Sequence, residues 1–418
     1  MAKTNEKNNT DTILENGSYP DPLNTFLFNA IIEGATDVHL HAIDDVTLIL
    51  YRVDGVVHEK QRLSVDDGRR LINQIKAAAG LNVTKSFFPQ EAQIRWLDED
   101  QQHKDFRVTV VPVGDEECAH LRILSMPEKE LEMTRLGFSD KHSENIAEIL
   151  NSLNGLILIT GVTGSGKTTT MYSMASSMAL QTLVAFSIED PVEFKLPSGQ
   201  QLEVDEEHGL TMYEGLRTIL RMDPDFVMVG EIRDRDSAIV TARAALSGRL
   251  VLGTIHGQDA AGVVDALHYL GVPYYITSSS LRMIIAQKLL RKLCLSCAKP
   301  RELYTEERDV FARTELPIPE EVFDPVGCEK CNGYGYKGQI GIFETAIITP
   351  EAAHKIALGV HNELLRQYFR DSGIAPMTVD GLTKVADGIT SMQELFEKCN
   401  FPDLPTKSQS GTRKSIMI

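Results

Sequence analysis

The chain has 418 residues, of which 42% are hydrophobic and 24% charged, and its formal net charge is −17. This length accommodates two or three domains, each large enough to bury a core. The acidic balance argues against a surface built to coat duplex DNA, because neutralising phosphates requires clustered Lys and Arg. Direct DNA binding is therefore not expected.

The first part of the chain is predicted to hold a tail and a small domain. Residues 1–20 are polar, carry no targeting signal and are predicted to be a disordered tail. Residues 21–130 are predicted to be an α/β domain with a helix over 23–32 and strands over 46–51 and 107–112. Met126-Pro127 and the charged run after it indicate a linker. No apolar run approaches the ~20 residues of a membrane span, so the protein is expected to stay in the cytoplasm.

Residues 135–400 are predicted to form one larger α/β domain. Apolar strand patterns alternate there with helical patterns, which favours a parallel sheet. The strand patterns cover 156–160, 183–188, 226–229 and 250–254, and helical patterns cover 167–179 and 211–221. A helical end is predicted over 350–400, followed by a polar, disordered tail over 401–418.

A glycine-rich motif lies between the first strand and the first helix of this domain. Gly161 to Thr168 reads GVTGSGKT and matches G-x-x-x-x-G-K-[ST]. Its glycines let backbone N–H groups surround phosphates, and the helix N-terminus adds a favourable dipole. Lys167 is predicted to reach the β/γ-phosphates and Thr168 to bind Mg²⁺. The predicted ATP-binding residues are Gly161, Val162, Thr163, Gly164, Ser165, Gly166, Lys167, Thr168 and Thr169.

Two later strands end in acidic residues. Open α/β sheets bind their ligands at the carboxyl ends of their strands. Glu231 follows the strand pattern 226–229 and is predicted to orient or deprotonate the attacking water. Glu189, Asp190 and Glu193 are predicted to hold Mg²⁺ or its water shell. For either group alone, a solvated strand end remains the alternative.

Basic residues accompany these acids. Arg217, Arg221 and Arg233 flank the Glu231 strand. Arginine is suited to spreading the charge of a transferring γ-phosphate, within one chain or across a subunit boundary. His256 closes the fourth strand pattern and is predicted to sense the γ-phosphate, with a purely structural role as the alternative.

Four of the six cysteines form two C-x-x-C pairs. Two such pairs together can place four thiolates around one structural Zn²⁺ ion. Cys294, Cys297, Cys328 and Cys331 are therefore predicted to bind zinc, in a lobe over 288–347. A redox pair or unrelated buried thiols are the alternatives, and Cys118 and Cys399 are predicted to be ordinary buried cysteines.

Taken together, these motifs resemble the secretion-ATPase superfamily that powers type II secretion and type IV pilus assembly. The resemblance extends over about residues 23–398. It rests on the glycine-rich loop, the four cysteines and the segments Ile188–Phe194, Leu216–Asp234, Ala244–His256, Gln287–Cys294 and Gly335–Gly338.

The resemblance implies a RecA-like P-loop core with a parallel sheet, preceded by a small PAS-like α/β domain. It also implies a homohexamer that binds ATP between these domains and turns an inner-membrane platform protein, so that membrane association is peripheral. Arg107 and Arg122 match N-terminal arginines that approach the nucleotide in this superfamily. Arg217, Arg221 and Arg233 match arginines of the core, and Glu231 matches its general base.

Two positions depart from the pattern of the superfamily. Arg249 stands where His is usual, and Gly257 stands where Thr is common. Assembly ATPases often carry a further leading domain, whereas only residues 1–20 precede the first domain here. The mode of recruitment is thus left open, as is the choice between pilus, secretion and DNA-uptake machines.

Four other functions compete with an assembly motor. A pilus-retraction ATPase and a type IV secretion ATPase are disfavoured, because relatives of these kinds generally lack the four cysteines. A non-hydrolysing nucleotide-binding regulator would have the same fold, but the intact Lys167, Thr168 and Glu231 count against it. A zinc-containing nucleic-acid binder conflicts with the charge of −17.

Overall fold

A computed structural model of the protein describes residues 13–14, 21–97, 103–124, 132–196 and 198–399. The chain divides into two compact units, unit 1 (Met1–Met126) and unit 2 (Pro127–Ile418). The tails predicted over 1–20 and 401–418 lie outside the described residues, except for Ile13–Leu14, which form a short strand instead of disordered chain. The predicted linker at Met126-Pro127 also lies outside them.

Unit 1 contains a seven-stranded sheet and two helices. The strand order is β1-β5-β6-β7-β2-β3-β4, and every pair is antiparallel except β1 with β5. The elements are β1 (Ile13–Leu14), α1 (Asp21–Ile32), β2 (Ala35–Ile43), β3 (Val46–Val53), β4 (Val56–Ser64), α2 (Val65–Ala78), β5 (Gln90–Leu97), β6 (His103–Val113) and β7 (Glu116–Leu124). The predicted helix over 23–32 and the two predicted strands are confirmed.

One face of this sheet is buried and the other is open. Burial along β3 alternates residue by residue, as expected of a strand with helices on one side only. Leu40 and Ile49 on the buried face pack with Leu27 of α1 and Ile75 of α2 in one apolar core. The other face of the sheet is therefore available to polar side chains.

Unit 2 is built on a second seven-stranded sheet, in the order β10-β9-β11-β12-β8-β13-β16. The predicted parallel sheet is confirmed, since all neighbours are parallel except β13 and β16. Its strands are β8 (Gly155–Thr160), β9 (Ala185–Glu189), β10 (Gln200–Glu203), β11 (Phe226–Ile232), β12 (Leu250–Ile255), β13 (Leu281–Leu293) and β16 (Tyr336–Ile347). A separate antiparallel pair consists of β14 (Lys299–Arg301) and β15 (Val322–Asp324).

Helices cover both faces of the second sheet. They are α3 (Met133–Leu136), α4 (Asp140–Asn151), α5 (Lys167–Ser176), α6 (Met212–Ile219), α7 (Arg235–Leu246), α8 (Ala260–Tyr269), α9 (Tyr274–Ser280), α10 (Thr305–Ala312), α11 (Pro350–Ala357), α12 (Asn362–Asp371), α13 (Met377–Ala386) and α14 (Met392–Lys398). The last four form the predicted helical end.

The central strands of unit 2 are consequently buried along their whole length. Every residue of β8 and of β12 is buried. Leu156 and Leu158 of β8 pack into the core that contains α7 and α8, whereas Ile157 and Ile159 pack on the opposite side with α4 and α5. A strand buried on both faces has room for charged side chains only at its ends.

The segment predicted to be an inserted lobe, 288–347, gives both of its ends to the sheet. β13 extends to Leu293, and β16 begins at Tyr336 and pairs with β13. The insertion is thus residues 294–335, here called the cysteine lobe. Its Phe311 and Val322 pack with Leu382 and Leu395 of the C-terminal helices.

None of the helices in the described part of the chain combines the length with the apolar character that a membrane crossing needs.

Candidate functional site

The glycine-rich loop connects the end of β8 to the start of α5. Gly164 and Gly166 have φ angles of 75° and 83°, a left-handed conformation that favours glycine. Gly166 is the N-cap of α5, so the first N–H groups of this helix face the loop. All the predicted ATP-binding residues from Gly161 to Thr169 thus lie in one loop and one helical turn, and Thr168 and Thr169 are half-buried there.

Lys167 is folded back over this loop. Its Nζ donates hydrogen bonds to the carbonyl oxygens of Gly161 (2.9 Å) and Val162 (3.2 Å). Burial lowers the pKa of Lys167, and the nearby negative charge of Glu231 opposes that shift. The loop therefore holds a half-buried cation over its own carbonyls, where phosphate oxygens would be stronger partners.

Four predicted residues meet at the carboxyl ends of β9, β11 and β12. The Nε2 of His256 lies 2.6 Å from Oε1 of Glu231. Arg233 donates from Nε to Oε2 of Glu231 (2.5 Å), and its Nη1 lies 3.3 Å from Oδ2 of Asp190. Glu231, Arg233, His256 and Asp190 are here called the Glu231 group. With His256 and Arg233 as its partners, the side chain of Glu231 is 19% exposed at the edge of the sheet.

Glu189 has different partners from the Glu231 group. Its buried carboxylate accepts hydrogen bonds from Tyr172 (2.5 Å), Ser187 (2.6 Å) and Gln201 (3.1 Å). Burial, followed by the charge of Glu189, raises the pKa of Tyr172. None of these donors belongs to the Glu231 group, so this geometry favours a packing role for Glu189 over the predicted role of holding Mg²⁺ or its water shell. Glu193 is half-buried in the loop after β9.

Arg217 and Arg221 are not brought to the Glu231 group. Arg217 pairs with Glu214 in α6 at 3.4 Å, and Arg221 is exposed just after this helix. Arg221 precedes β11 whereas Glu231 is near its end, and a rise of about 3.3 Å per residue places these strand ends about 17 Å apart. Within one chain, Arg221 is therefore at the wrong edge of the sheet to reach a ligand beside Glu231.

The two departures from the superfamily pattern have separate structural settings. Arg249 immediately precedes β12, at the opposite end of the strand from His256, and donates to Ser247 Oγ at 2.6 Å. Gly257 lies against β8, where its carbonyl accepts a hydrogen bond from Thr160 (3.0 Å). A Cβ at position 257 would stand 2.9 Å from the Thr160 hydroxyl, so glycine allows this close approach.

The loop after β12 is fixed by residues that sequence reasoning missed. Asp259 caps α8 by accepting from the N–H of Gly262 (2.7 Å), and its second oxygen accepts from Arg366 of α12 (2.7 Å). The N–H of Ala260 donates to Glu344 of β16 at 2.9 Å. An Asp before a helix signals a cap, but no local signal links it to a residue more than 100 positions away.

Arg107 and Arg122, both in unit 1, are direct cross-strand neighbours on β6 and β7. Their row across the open face continues through Asp37 to Arg52. Arg122 donates to Asp37 at 3.1 Å, while Arg107 lies 3.5 Å from Glu91. Like charges directly opposite each other are destabilising, and each arginine is offset here by a carboxylate, so the pairing of two arginines is a feature that a reading of single residues misses.

Asp37 is the acidic residue of this row and is hydrogen-bonded to several neighbours. Besides Arg122, it accepts hydrogen bonds from His120 (2.9 Å) and Thr36 (2.9 Å). Burial raises the pKa of Asp37, but these hydrogen bonds outweigh burial and hold its pKa well below the usual range. The carboxylate therefore stays charged and orients Arg122.

The four predicted zinc ligands lie together at the end of β13. Their Sγ atoms are all within 4.8 Å of one another, with three separations of 3.9, 3.8 and 3.8 Å. A tetrahedron of thiolates about 2.3 Å from zinc requires separations of about 3.8 Å. The N–H groups of Cys328 and Gly335 donate to Cys331 Sγ. Burial raises the pKa of this thiol, but these bonds lower it overall to about 6. The residues fit a zinc ion.

Known proteins resemble the chain over most of its length. The family model described as Type II/IV secretion system protein matches residues 15–397. Type II secretion system protein E of Aeromonas hydrophila is 35% identical over 374 residues, 90% of this chain and 74% of that protein. Type IV pilus assembly ATPase PilB of Myxococcus xanthus is 34% identical over 380 residues, 89% of this chain and 66% of that protein.

Solved structures show the same fold. The Legionella pneumophila ATPase DotB superposes with a TM-score of 0.67 at 20% identity, covering 92% of this chain and 96% of that chain. The pilus retraction motor PilT with bound ADP gives 0.60 at 24% identity, covering 90% of this chain and 96% of that chain. Given the family-model match over residues 15–397 and the identity of 35% to type II secretion system protein E, the chain belongs to the type II/IV secretion system protein family.

Proposed function

We propose that the protein is a cytoplasmic, hexameric ATPase that drives assembly of a type IV pilus, a type II secretion pseudopilus or a DNA-uptake pseudopilus. The observation that carries the ATPase proposal is the Glu231 carboxylate at the end of β11, in the same sheet edge as the glycine-rich loop. Membership of the family, and relatives named as pilus assembly ATPases, support the coupling to a filament machine.

The proposed chemistry uses residues at that edge. The N–H groups of the loop and Lys167 bind the phosphates, and Lys167 exchanges its bonds to Gly161 and Val162 for phosphate oxygens. Glu231 orients the attacking water and accepts its proton, while His256 and Arg233 hold the carboxylate in place. Mg²⁺, when held by Thr168 and the acids after β9, neutralises phosphate charge.

The remaining predicted arginines fit a ring better than a single chain. Arg221 lies at the far edge of its own sheet, so we assign Arg217 and Arg221 to the nucleotide of a neighbouring subunit. An arginine supplied across a boundary stabilises charge on the transferring phosphate. Arg107 and Arg122 of unit 1 are assigned to nucleotide binding as well, as the superfamily resemblance implies. ATP-driven domain closure would then move an inner-membrane platform protein.

Assembly is favoured over retraction by two observations. The two relatives described above are a type II secretion protein and a pilus assembly ATPase, whereas the likeness to the retraction motor, at 24% identity, concerns the fold alone. The four-cysteine cluster is also a feature that retraction relatives generally lack.

The cysteine lobe is proposed to bind one structural zinc ion through Cys294, Cys297, Cys328 and Cys331. Four thiolates leave no open coordination position, so the ion would stabilise the lobe and take no part in hydrolysis. Elemental analysis of the purified protein should find about one zinc per chain. Cys331→Ser should remove it and Cys118→Ser, a change in unit 1, should not. Equal zinc content in both variants would refute this site.

The ATPase proposal is tested by turnover of the wild type beside Glu231→Gln, with mass measured by size-exclusion chromatography on the same samples. We expect Mg²⁺-dependent hydrolysis that rises with oligomer formation, and a loss of about 100-fold or more in Glu231→Gln with nucleotide binding retained. Glu351→Gln, an exposed change on α11, is the matched control. A wild type that forms hexamers and binds ATP without hydrolysing it would favour the nucleotide-binding regulator instead.

A further inference from the structure

A buried glutamine lies beneath the glycine-rich loop. Gln287 belongs to β13, which is paired with β8 as far as Ala286 opposite Thr160. It is thus the next residue of β13 after that ladder, where the chain of β8 turns into the loop. Gln287 is only 1% exposed.

The side chain of Gln287 makes one hydrogen bond to the loop. Its Nε2 donates to the carbonyl oxygen of Ser165 at 2.5 Å. In a trans peptide the C=O and the following N–H point in opposite directions. A Ser165 carbonyl directed towards β13 therefore turns the N–H of Gly166 to the opposite side, into the concave face of the loop.

The contact between the loop and β13 is close on both sides of Ser165. A Cβ at Gly161 would collide with the backbone oxygen of Gln287, and a Cβ at Gly166 would stand 3.3 Å from its Nε2. The two glycines therefore let the loop lie directly on Gln287. The other amide atom, Oε1, is buried and has no partner among the described residues, so only the donor half of the amide is used.

We propose that Gln287 is a positioning residue of the phosphate loop, whose amide holds the Ser165 carbonyl so that the Gly166 N–H faces the phosphates. It acts through the loop and does not itself touch the nucleotide. This inference rests on the proposed ATP site. It explains why an amide is retained at a position where an apolar residue would otherwise be favoured by burial.

A positioning role for Gln287 should affect the binding of phosphates and not the rate of hydrolysis. Losing one neutral hydrogen bond should weaken Mg-ADP binding by about 3- to 12-fold. The rate at saturating ATP should remain within about twofold, because Glu231 and His256 are untouched. A glutamine that only filled space would lower thermal stability and leave the affinity for the phosphates unchanged.

The experiment compares the full-length wild type with Gln287→Leu, which keeps the size of the side chain and removes its donor. Gln339→Leu on β16 is the control. Mg-ADP affinity, KM and kcat for ATP, and hydrogen exchange of residues 161–170 in ligand-free protein are measured. The expected result is weaker Mg-ADP binding, a raised KM, an unchanged kcat and faster exchange in Gln287→Leu alone.

Two outcomes are kept apart. If wild type neither binds nor hydrolyses nucleotide, the proposed function fails, and exchange over 161–170 still tests whether Gln287 holds the loop. If wild type is active but affinity and exchange in Gln287→Leu match it, the inference is overturned. Gln287→Met, which is unbranched like glutamine, replaces Gln287→Leu should the latter not fold, and is judged by the same readouts.

Discussion

The two sheets each have seven strands, yet they hold their polar side chains in different places. In unit 2, β8 and β12 are buried at every residue, and charged groups such as Glu231 lie at strand ends. In unit 1, Arg107 and Arg122 lie in mid-strand on an open face. The difference follows from connectivity, since parallel strands need crossover helices that cover both faces, whereas antiparallel hairpins leave one face uncovered.

In unit 2, the residues that stabilise the fold are different from the candidate reactive residues, whereas in unit 1 the same residues serve both purposes. In unit 2 the strand interiors supply the core and the strand ends supply the reactive groups. In unit 1 a single row of side chains, from Arg107 to Arg52, both contributes to cross-strand pairing and forms the candidate anion surface.

The largest expected effect comes from two matched leucine truncations. Leu158 lies in the middle of β8 and is fully buried, so Leu158→Ala should cost about 2–5 kcal/mol of unfolding free energy. Leu48 is half-buried on the open face of β3, and Leu48→Ala should cost about 1 kcal/mol or less. Urea titration followed by hydrogen exchange in each unit measures both. Equal losses of unfolding free energy in the two variants would contradict the proposed difference between the two sheets.

The next effect concerns the loops at the ends of the parallel strands, which need braces from elsewhere in the chain. Arg366→Met should cost about 1.5–3 kcal/mol by removing a charged hydrogen bond to Asp259. Asp259→Asn keeps the helix cap but weakens the same pair, so the two changes together should be non-additive by about 0.5–3 kcal/mol. Unfolding free energies and kcat of the four proteins complete the cycle, with Gln367→Ala as control; full additivity would contradict the brace.

A smaller effect is expected on the open face. Arg107→Gln removes one of two like charges that stand directly opposite each other, and it loses only an exposed ion pair with Glu91 at 3.5 Å, so it should stabilise unit 1 by at most about 0.2–1 kcal/mol. The same change should lower ATP turnover. Arg95→Gln on β5 is the control, because Arg95 is paired with Asp105 at 2.9 Å and its loss should bring no gain. A destabilised Arg107→Gln with full turnover would mean that this row is structural.

The last effect, which is confined to acidic pH, is a dependence of stability on pH in unit 1. Burial, followed by the charges of His120 and His41, lowers the pKa of His39 to about 4 from 6.5. Between these pH values, His39 binds a proton in the unfolded chain but not in the folded unit. The unfolding free energy should therefore fall as pH drops from about 6.5 towards 4. His39→Phe keeps a ring beside His120 and should flatten this slope. Urea unfolding at pH 7.5 and pH 4.5 measures it, and identical slopes would exclude His39 as the source.

Local sequence signals predicted a large part of this structure. The apolar strand patterns found β8, β9, β11 and β12, because strands buried on both faces form continuous apolar runs. The glycine-rich loop was predictable because its residues are consecutive. The same continuity hid β13, whose buried run leads directly into the cysteines, so that its part from residue 288 onwards was predicted to belong to the lobe.

Features that depend on distant pairs were not predictable. Nothing around Gln287 or Arg366 indicates the carbonyl of Ser165 or the carboxylate of Asp259, since each contact spans more than 100 residues. Proximity in sequence also did not show the edge of the sheet, because Arg221 and Arg249 flank predicted site strands but lie at the amino ends of those strands. Which edge of a sheet a residue occupies depends on strand direction.

The position of the cysteine lobe has a mechanical consequence. The chain enters the lobe where β13 ends and leaves it where β16 begins, and these strands are joined by a ladder from Met283 opposite Ile347 to Leu293 opposite Tyr336. A pull on the lobe along the strands would load the bonds between β13 and β8 side by side, in shear, instead of opening them one at a time. Force applied at the lobe along β13 would thus be transmitted directly to the part of this strand that carries Gln287.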